Sequence, residues 1–344
     1  MERIITSQKY AAYILFIALM VTLSLSLTQG AISLNIWQVL GVLTGSIDDA
    51  FARLVVLDIR LPRVLLGAIV GAGLAIAGAA MQGLFRNPLA DPGLVGVSSG
   101  AALAAILVIV LGGTYLKQWM SFWGYFALPL AAFMGGVLVT WVIYKVATYQ
   151  GRTDVATMLL AGVAINAITG AISGVLTYYA SDEALRSLTF WSMGSLASAS
   201  WVDVAMAGTP IVVACCCLPF FSRALNAFLM GETVSHHMGF NVKRMKQIVI
   251  ALTALAVGSA VAVSGVIGFV GLVAPHLVRL LTGPDHRWVL PLSAMMGALL
   301  VVLSDIVARL LIAPAELPIG LVMASVGGPF FLGLLLKQRA KSGF

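Results

Sequence analysis

The sequence predicts an all-α, polytopic membrane protein, a single transmembrane domain over residues 1–344 with ten transmembrane helices and an inverted repeat. Three observations carry that prediction. Of 344 residues, 60% are hydrophobic and 10% are charged, whereas an ordinary soluble domain is nearer one quarter charged. Mean hydropathy over the whole chain is +1.03, which leaves no long stretch for a water-soluble domain. The charges, finally, sort by side once the spans are drawn. At roughly 20 residues per crossing the apolar content has room for about eight to ten spans and little else. A soluble enzyme, a nucleic-acid-binding protein and a disordered tail are excluded.

Candidate spans fall at about 11–29, 62–84, 93–112, 124–146, 155–178, 202–221, 247–268, 270–282, 288–312 and 317–337. The first follows Arg3 and Lys9 as a signal peptide would, but no A-x-A cleavage site comes after it, so a retained helix is expected. The second carries Gly67, Gly71, Gly73, Gly78 and Gly83. Small residues let helix backbones approach closely in lipid, so this span reads as buried and central. The sixth contains Cys215, Cys216 and Cys217. Consecutive side chains on a helix point in different directions, which suits packing and not a disulfide or metal cage. The eighth is short and holds Pro275, His276 and Arg279, a form tolerated only where protein or a water-filled cavity satisfies the backbone. In the ninth, Asp305 and Arg309 stand one turn apart, as a local ion pair.

With both termini inside, the inner segments, from Arg3 and Lys9 through Arg152 to Arg339 and Lys341, carry a net +9 and the outer ones −2, which together make the formal +7. The basic balance is thereby read as the positive-inside bias, not as a sign of acidic partners. Gly78–Gly96 and Val261–Pro275 look distantly alike, each running small residues into a glycine-rich break and a proline. They follow spans of opposite direction, the relation expected of an inverted repeat.

Much chemistry is missing. None of the seven lysines follows a glycine, so no Walker A motif occurs. Asp203 and Asp305 are the carboxylates near the membrane, both toward its edge, whereas ion-coupled transporters place ionisable groups near the midplane. His236, His237, His276 and His286 lie on or near the inner side with no zinc-peptidase spacing. No catalytic residue, metal site or cofactor is expected. Two features point to partners instead. The inner connection 222–247 splits into short helix-like pieces at Gly231 and Gly239, and reads equally as an interfacial helix on lipid headgroups or as a dock for a soluble protein. Outside, Arg60, Arg63 and Arg309 sit where the inside bias disfavours them. They either neutralise Asp58 and Asp305 or capture acidic groups on a partner.

Several motifs in one order, over residues 50–337, then become recognisable. They are Arg60-Leu-Pro-Arg63, Gly78-Ala-Ala-Met-Gln82-Gly, Asn87-Pro-Leu-Ala-Asp91-Pro-Gly93, Gly265-Val-Ile-Gly-Phe-Val-Gly271-Leu-Val-Ala-Pro-His276, Asp305-Ile-Val-Ala-Arg309 and Glu316-Leu-Pro-Ile-Gly320. Together they resemble the iron-chelate and cobalamin permeases of bacterial ABC importers (the FecCD type). The resemblance implies a homodimer in the bacterial inner membrane, two cytoplasmic ABC ATPase subunits and a periplasmic substrate-binding protein, the last two on separate chains. It implies that Arg60, Arg63 and Arg309 meet the binding protein, and that Gly231, Glu232 and Gly239 belong to the element seated in the ATPase. It implies a pathway at the dimer axis along the fifth and tenth spans. There the gate would involve Asn87 to Leu89 and Val155, Ala156 and Thr157, with Asn166, Thr169 and Ser173 as the few polar groups. His236-His237 departs from many relatives. The segment Tyr179 to Leu196 looks most like the haem-transporting branch, so haem is the expected cargo, ahead of a ferric siderophore or cobalamin. An ion-coupled secondary transporter is the competing class.

Overall fold

The computed structural model describes residues 2–30, 32–150 and 152–342. The side chains of Arg3, Arg152, Arg339 and Lys341, counted above among the inner charges, lie outside the described residues. The helices are α1 (Glu2–Thr28), α2 (Ile36–Leu43), α3 (Ala50–Arg53), α4 (Leu61–Phe85), α5 (Val97–Leu111), α6 (Lys117–Trp123), α7 (Ala127–Val146) and α8 (Val155–Tyr178). The second half adds α9 (Asp182–Ser192), α10 (Trp201–Cys217), α11 (Ser222–Leu229), α12 (Glu232–His237), α13 (Val242–Ser264), α14 (Val270–Thr282), α15 (His286–Leu310) and α16 (Ile319–Ser342). Each of the ten apolar stretches carries one helix. Among the described residues seven helical segments are long and apolar enough to cross a membrane; α5, α14 and Ile319–Leu334 of α16 are shorter apolar helices.

Side-chain caps set several starts. Asn35, Asp154, Ser181, Ser200, Asn241 and Asp285 each accept a hydrogen bond from an early backbone N–H of the following helix. An N-cap of this kind satisfies a donor that has no partner within the helix.

The second span departs most from the sequence expectation. The sequence draws it over 62–84, yet the helix begins at Ala50 and runs unbroken to Phe85. A π-helical turn, Leu54–Arg60, joins α3 to α4, and the Leu61 N–H reaches back to the Val56 carbonyl. In a regular α-helix the Pro62 ring would crowd the carbonyl four residues back; widening the turn relieves that clash. Three short helices, α2, α6 and α9, lie in connections for which the apolar pattern predicts no element.

Almost all of α4 is buried, among α10, α13, α14 and α15. Glycine makes this possible. A Cβ on Gly71 would collide with the Gly297 carbonyl oxygen of α15, and one on Gly78 with the Gly271 carbonyl of α14. Backbones this close leave no room for side chains, and dispersion between them replaces the hydrophobic drive that lipid does not supply. The two stretches that look alike in sequence therefore touch, and Gln82 Nε2 donates to Gly271 O at 3.1 Å across the contact. Each has the same form: a long helix, a break with left-handed residues (Arg86 and Gly96; Gly265 and Phe269), then a short helix.

Where α13 ends and α16 begins, the segment Trp191–Ser195 ties three elements together. Ser195 N donates to Ser264 O at the end of α13, while Ile319 N and Gly320 N at the start of α16 donate to Gly194 O and Met193 O. Gly194 holds φ +69° there, a conformation glycine adopts without steric cost.

Replacing Gly71 by Ala is expected to destabilise the subunit by about 1–3 kcal/mol, the usual cost of overpacking. Gly113→Ala, with nothing near its Cβ direction, should leave stability unchanged. Thermal unfolding of both variants in detergent checks this.

Candidate functional site

Three groups of expected residues can be located. The outer arginines form one cluster. Arg63 Nη2 lies 2.8 Å from Asp305 Oδ1, and its Nη1 lies 2.9 Å from Glu316 Oε1. Arg309 Nε lies 3.0 Å from Asp305 Oδ2, so the one-turn pair read from the sequence is present. Arg309 also donates to the Gln29 carbonyl at 2.8 Å and to Ser26 Oγ at 2.7 Å, both on or beside α1. Arg60 donates to the carbonyls of Leu27, Thr28 and Ile32. The structure thus brings all three together but spends their donors inside the fold: they are 5%, 8% and 6% exposed. Of the two readings left open above, internal neutralisation is realised for Asp305; Arg60 turns to carbonyls, not to Asp58. Arg63 and Arg309 meet Asp305 and Glu316, while Arg60 has only carbonyl partners among the described residues, which leaves a surplus positive charge.

The inner group lies around α12. Gly231 precedes that helix at φ +125°, and Gly239 follows it at φ +85°, so the two glycines punctuate the connection as the sequence indicated. Glu232 opens α12 and pairs with Lys246 of α13 at 2.9 Å. Next to it Asp154 caps α8, accepting from Thr157 N at 2.8 Å and from Thr157 Oγ1 at 2.6 Å. Those hydrogen bonds hold the Asp154 carboxyl below the usual carboxylate range. Val155 is half-buried, and Ala156 and Thr157 are exposed. A cleft of about 590 Å³ opens between the two elements, lined by Thr153, Asp154, Glu232, Thr233, His236 and His237.

The loop Asn87 to Leu89, expected at the gate, follows α4. Asn87 is exposed and its Oδ1 accepts from Leu89 N at 2.9 Å. The loop continues through Pro92–Val95 against α8, where a Cβ on Gly162 would collide with the Leu94 carbonyl. Along α8 the polar residues do not line the open face. Asn166 Oδ1 accepts from Ser99 Oγ of α5 at 2.6 Å, and Thr169 is buried with its hydroxyl on the Ile165 carbonyl. Ser173 is half-buried. The open face is apolar, with Leu160, Val163, Ile168, Ile172 and Val175 exposed.

Lys246 is the residue that sequence reasoning missed, since it was counted only as one more inner charge. Its signal was available: Val242, Lys246, Val249, Ile250 and Thr253 share one helical face, and all are buried. A lysine on the core stripe of an amphipathic helix needs a partner.

Ten apolar helices, one of them the buried, glycine-rich α4, with charge gathered at both ends, define a multi-pass membrane protein. The FecCD transport family model matches residues 18–337. The hemin transport system permease protein HmuU of Yersinia pestis is 45% identical over 325 residues, covering 93% of this chain and 94% of that protein. The cobalamin import system permease protein BtuC of Halobacterium salinarum is 42% identical over 291 residues, covering 85% and 76%. A solved inward-facing structure of a metal-chelate type ABC transporter superposes with a TM-score of 0.82 at 32% identity, covering 94% of this chain and 98% of that one. PsaBC from Streptococcus pneumoniae, at 17% identity and a TM-score of 0.52, shares the fold alone. The chain belongs to the FecCD transport family, and its role is that of a transport permease.

Asp305 holds two arginines in a nearly dry setting. Asp305→Ala is expected to cost about 3–5 kcal/mol, because it strands buried positive charge. Thermal unfolding in detergent measures it, and Glu316→Ala, at the wetter rim, should cost far less.

Proposed function

We propose that this permease carries haem across the bacterial inner membrane into the cytoplasm. It would do so as a homodimer with two cytoplasmic ABC ATPase subunits, fed by a periplasmic binding protein. The observation that carries the cargo is the 45% identity to a hemin permease over nearly the whole of both chains. Two further features support it. Tyr178 and Tyr179 are exposed at the end of α8, with ring centroids 5.3 Å apart in a T-shaped pair. The open face of α8 is apolar, which suits a flat, largely apolar macrocycle that has to be released again. Cobalamin is the second reading, favoured by the 42% identity to a cobalamin permease.

The orientation follows the charge bias, with both termini cytoplasmic and the α12 end facing the ATPase. On this reading alternating access is driven from outside the chain. ATP binding closes the two ATPases, and Gly231, Glu232 and Gly239 belong to the segment that receives the motion. Asn87, Leu89 and Val155 to Thr157 form the inner gate. The outer arginine cluster lies at the binding-protein end. Its buried guanidinium groups act there through their surplus charge and through Glu316, whose place beside Arg63 an acidic group of the binding protein can take.

In proteoliposomes containing permease, ATPase and binding protein, haem uptake is expected to require ATP. Uptake driven by an ion gradient without the ATPase would overturn the importer reading, and ATP-driven uptake of cobalamin but not haem would overturn the cargo. Tyr178→Ala/Tyr179→Ala should slow haem uptake several-fold, consistent with about 0.5–1.5 kcal/mol per lost aromatic contact.

A further inference from the structure

Lys246 is 3% exposed. Its Nζ donates to the Thr153 carbonyl at 2.8 Å and to both carboxylate oxygens of Glu232, at 3.0 and 2.9 Å. The Phe228 ring of α11 lies 5.4 Å from the same nitrogen. One ammonium group therefore joins three separate pieces of chain: α12 through Glu232, α13 through its own backbone, and the strand residue Thr153. The residue after Thr153 is Asp154, whose carboxylate holds the first turn of α8 through Thr157. From α12 to the start of α8 the path runs over side-chain hydrogen bonds of 2.6–3.0 Å and one peptide unit.

The chemistry of the link makes it directional. An exposed ion pair contributes almost nothing, because water replaces either partner. Here the ammonium is desolvated while Glu232 stands at the cleft with its side chain half in water. If α12 moved away alone, a buried charge would keep a single carbonyl, a state far more costly than an intact network. The contacts survive when the Lys246 side chain and Thr153 follow α12, since both Glu232 and Thr153 bond to the same Nζ. A displacement applied to α12 is thus passed on, not absorbed.

We propose that Lys246 is a positioning residue that transmits displacement of α12 to the start of α8, and so couples the ATPase-facing segment to the inner gate. The proposal rests on the permease reading above, with α12 as the element a cytoplasmic ATPase presses on.

The test uses the reconstituted complex with haem as the transported probe, reading haem moved per ATP hydrolysed. It also reads a spin label on Ala156→Cys in a chain whose Cys215, Cys216 and Cys217 are replaced by Ser. Lys246→Met and Glu232→Gln are each expected to lower haem moved per ATP roughly tenfold, within the usual range of a coupling between sites. The label is expected to lose its response to nucleotide in both, and Lys246→Arg should restore the two readouts. Glu232→Gln keeps Lys246 and its bond to Thr153, so it judges the link even where Lys246→Met folds poorly. An unchanged ratio of haem to ATP, or a label that responds as in the parent chain, overturns the proposal. Absence of ATP-driven haem uptake in the parent counts against the cargo reading alone, and the label still decides the role of Lys246.

Discussion

The close approach of α4 to its neighbours is the constraint on which the rest of the molecule depends. In lipid, apolar side chains gain little by touching one another, so helices must be held by near contact and by polar groups with nowhere else to go. Gly71 against Gly297 and Gly78 against Gly271 supply the near contact. Because these are backbone contacts, they fix α4, α14 and α15 relative to one another with little tolerance. Gln82, buried on the same helix, adds the polar part by bonding the Gly271 carbonyl and accepting from Arg279.

That rigid centre explains where the charges sit. Arg63 and Asp305 project from α4 and α15, and they meet at one end of the contact between those helices. From there Arg309 reaches Ser26 of α1 and Gln29 just after it, Arg60 reaches the α1 carbonyls of Leu27 and Thr28, and Glu316 leads into α16. The outer cluster thus collects peripheral helices onto the central pair. At the other end the arrangement is looser: short helices α11 and α12, a two-residue-per-strand ladder of Thr148–Tyr149 with Arg152–Thr153, and an open cleft. One end of the molecule is built to stay together, and the other has room to shift.

Most of this fold was legible in the sequence, because hydrophobic length and small-residue spacing are local signals. The glycines of α4, the breaks at Gly231 and Gly239 and the Asp305–Arg309 pair could all be read from neighbours within a few residues. What was not legible has a common cause. The helical stretch ahead of the 62–84 span escaped notice because its π turn inserts an extra residue and Arg53, Asp58 and Arg60 interrupt the apolar run. The short helices α2, α6 and α9 carry too little apolar periodicity to stand out. The burial of Arg60 and Arg309 depends on α1 and the chain after it, and that of Arg63 on Asp305 and Glu316, some 30 to 280 positions away. Asn166 and Thr169 lie on the expected helix, but Asn166 turns to Ser99 of α5 and Thr169 back to the Ile165 carbonyl. Partners far apart in sequence leave no pattern in either segment alone.

Arg63 divides its guanidinium between two very different carboxylates. Asp305 is 4% exposed at its side chain and Glu316 37%. Dissolved ions screen charges that stand in water far more than charges shielded by protein. The cluster therefore has an inner half indifferent to ionic strength and an outer half that weakens as salt rises. Since Glu316 stands just ahead of α16, the ion-pair tether there is graded by the ionic strength of the medium it faces, while the α4–α15 joint beneath it is not.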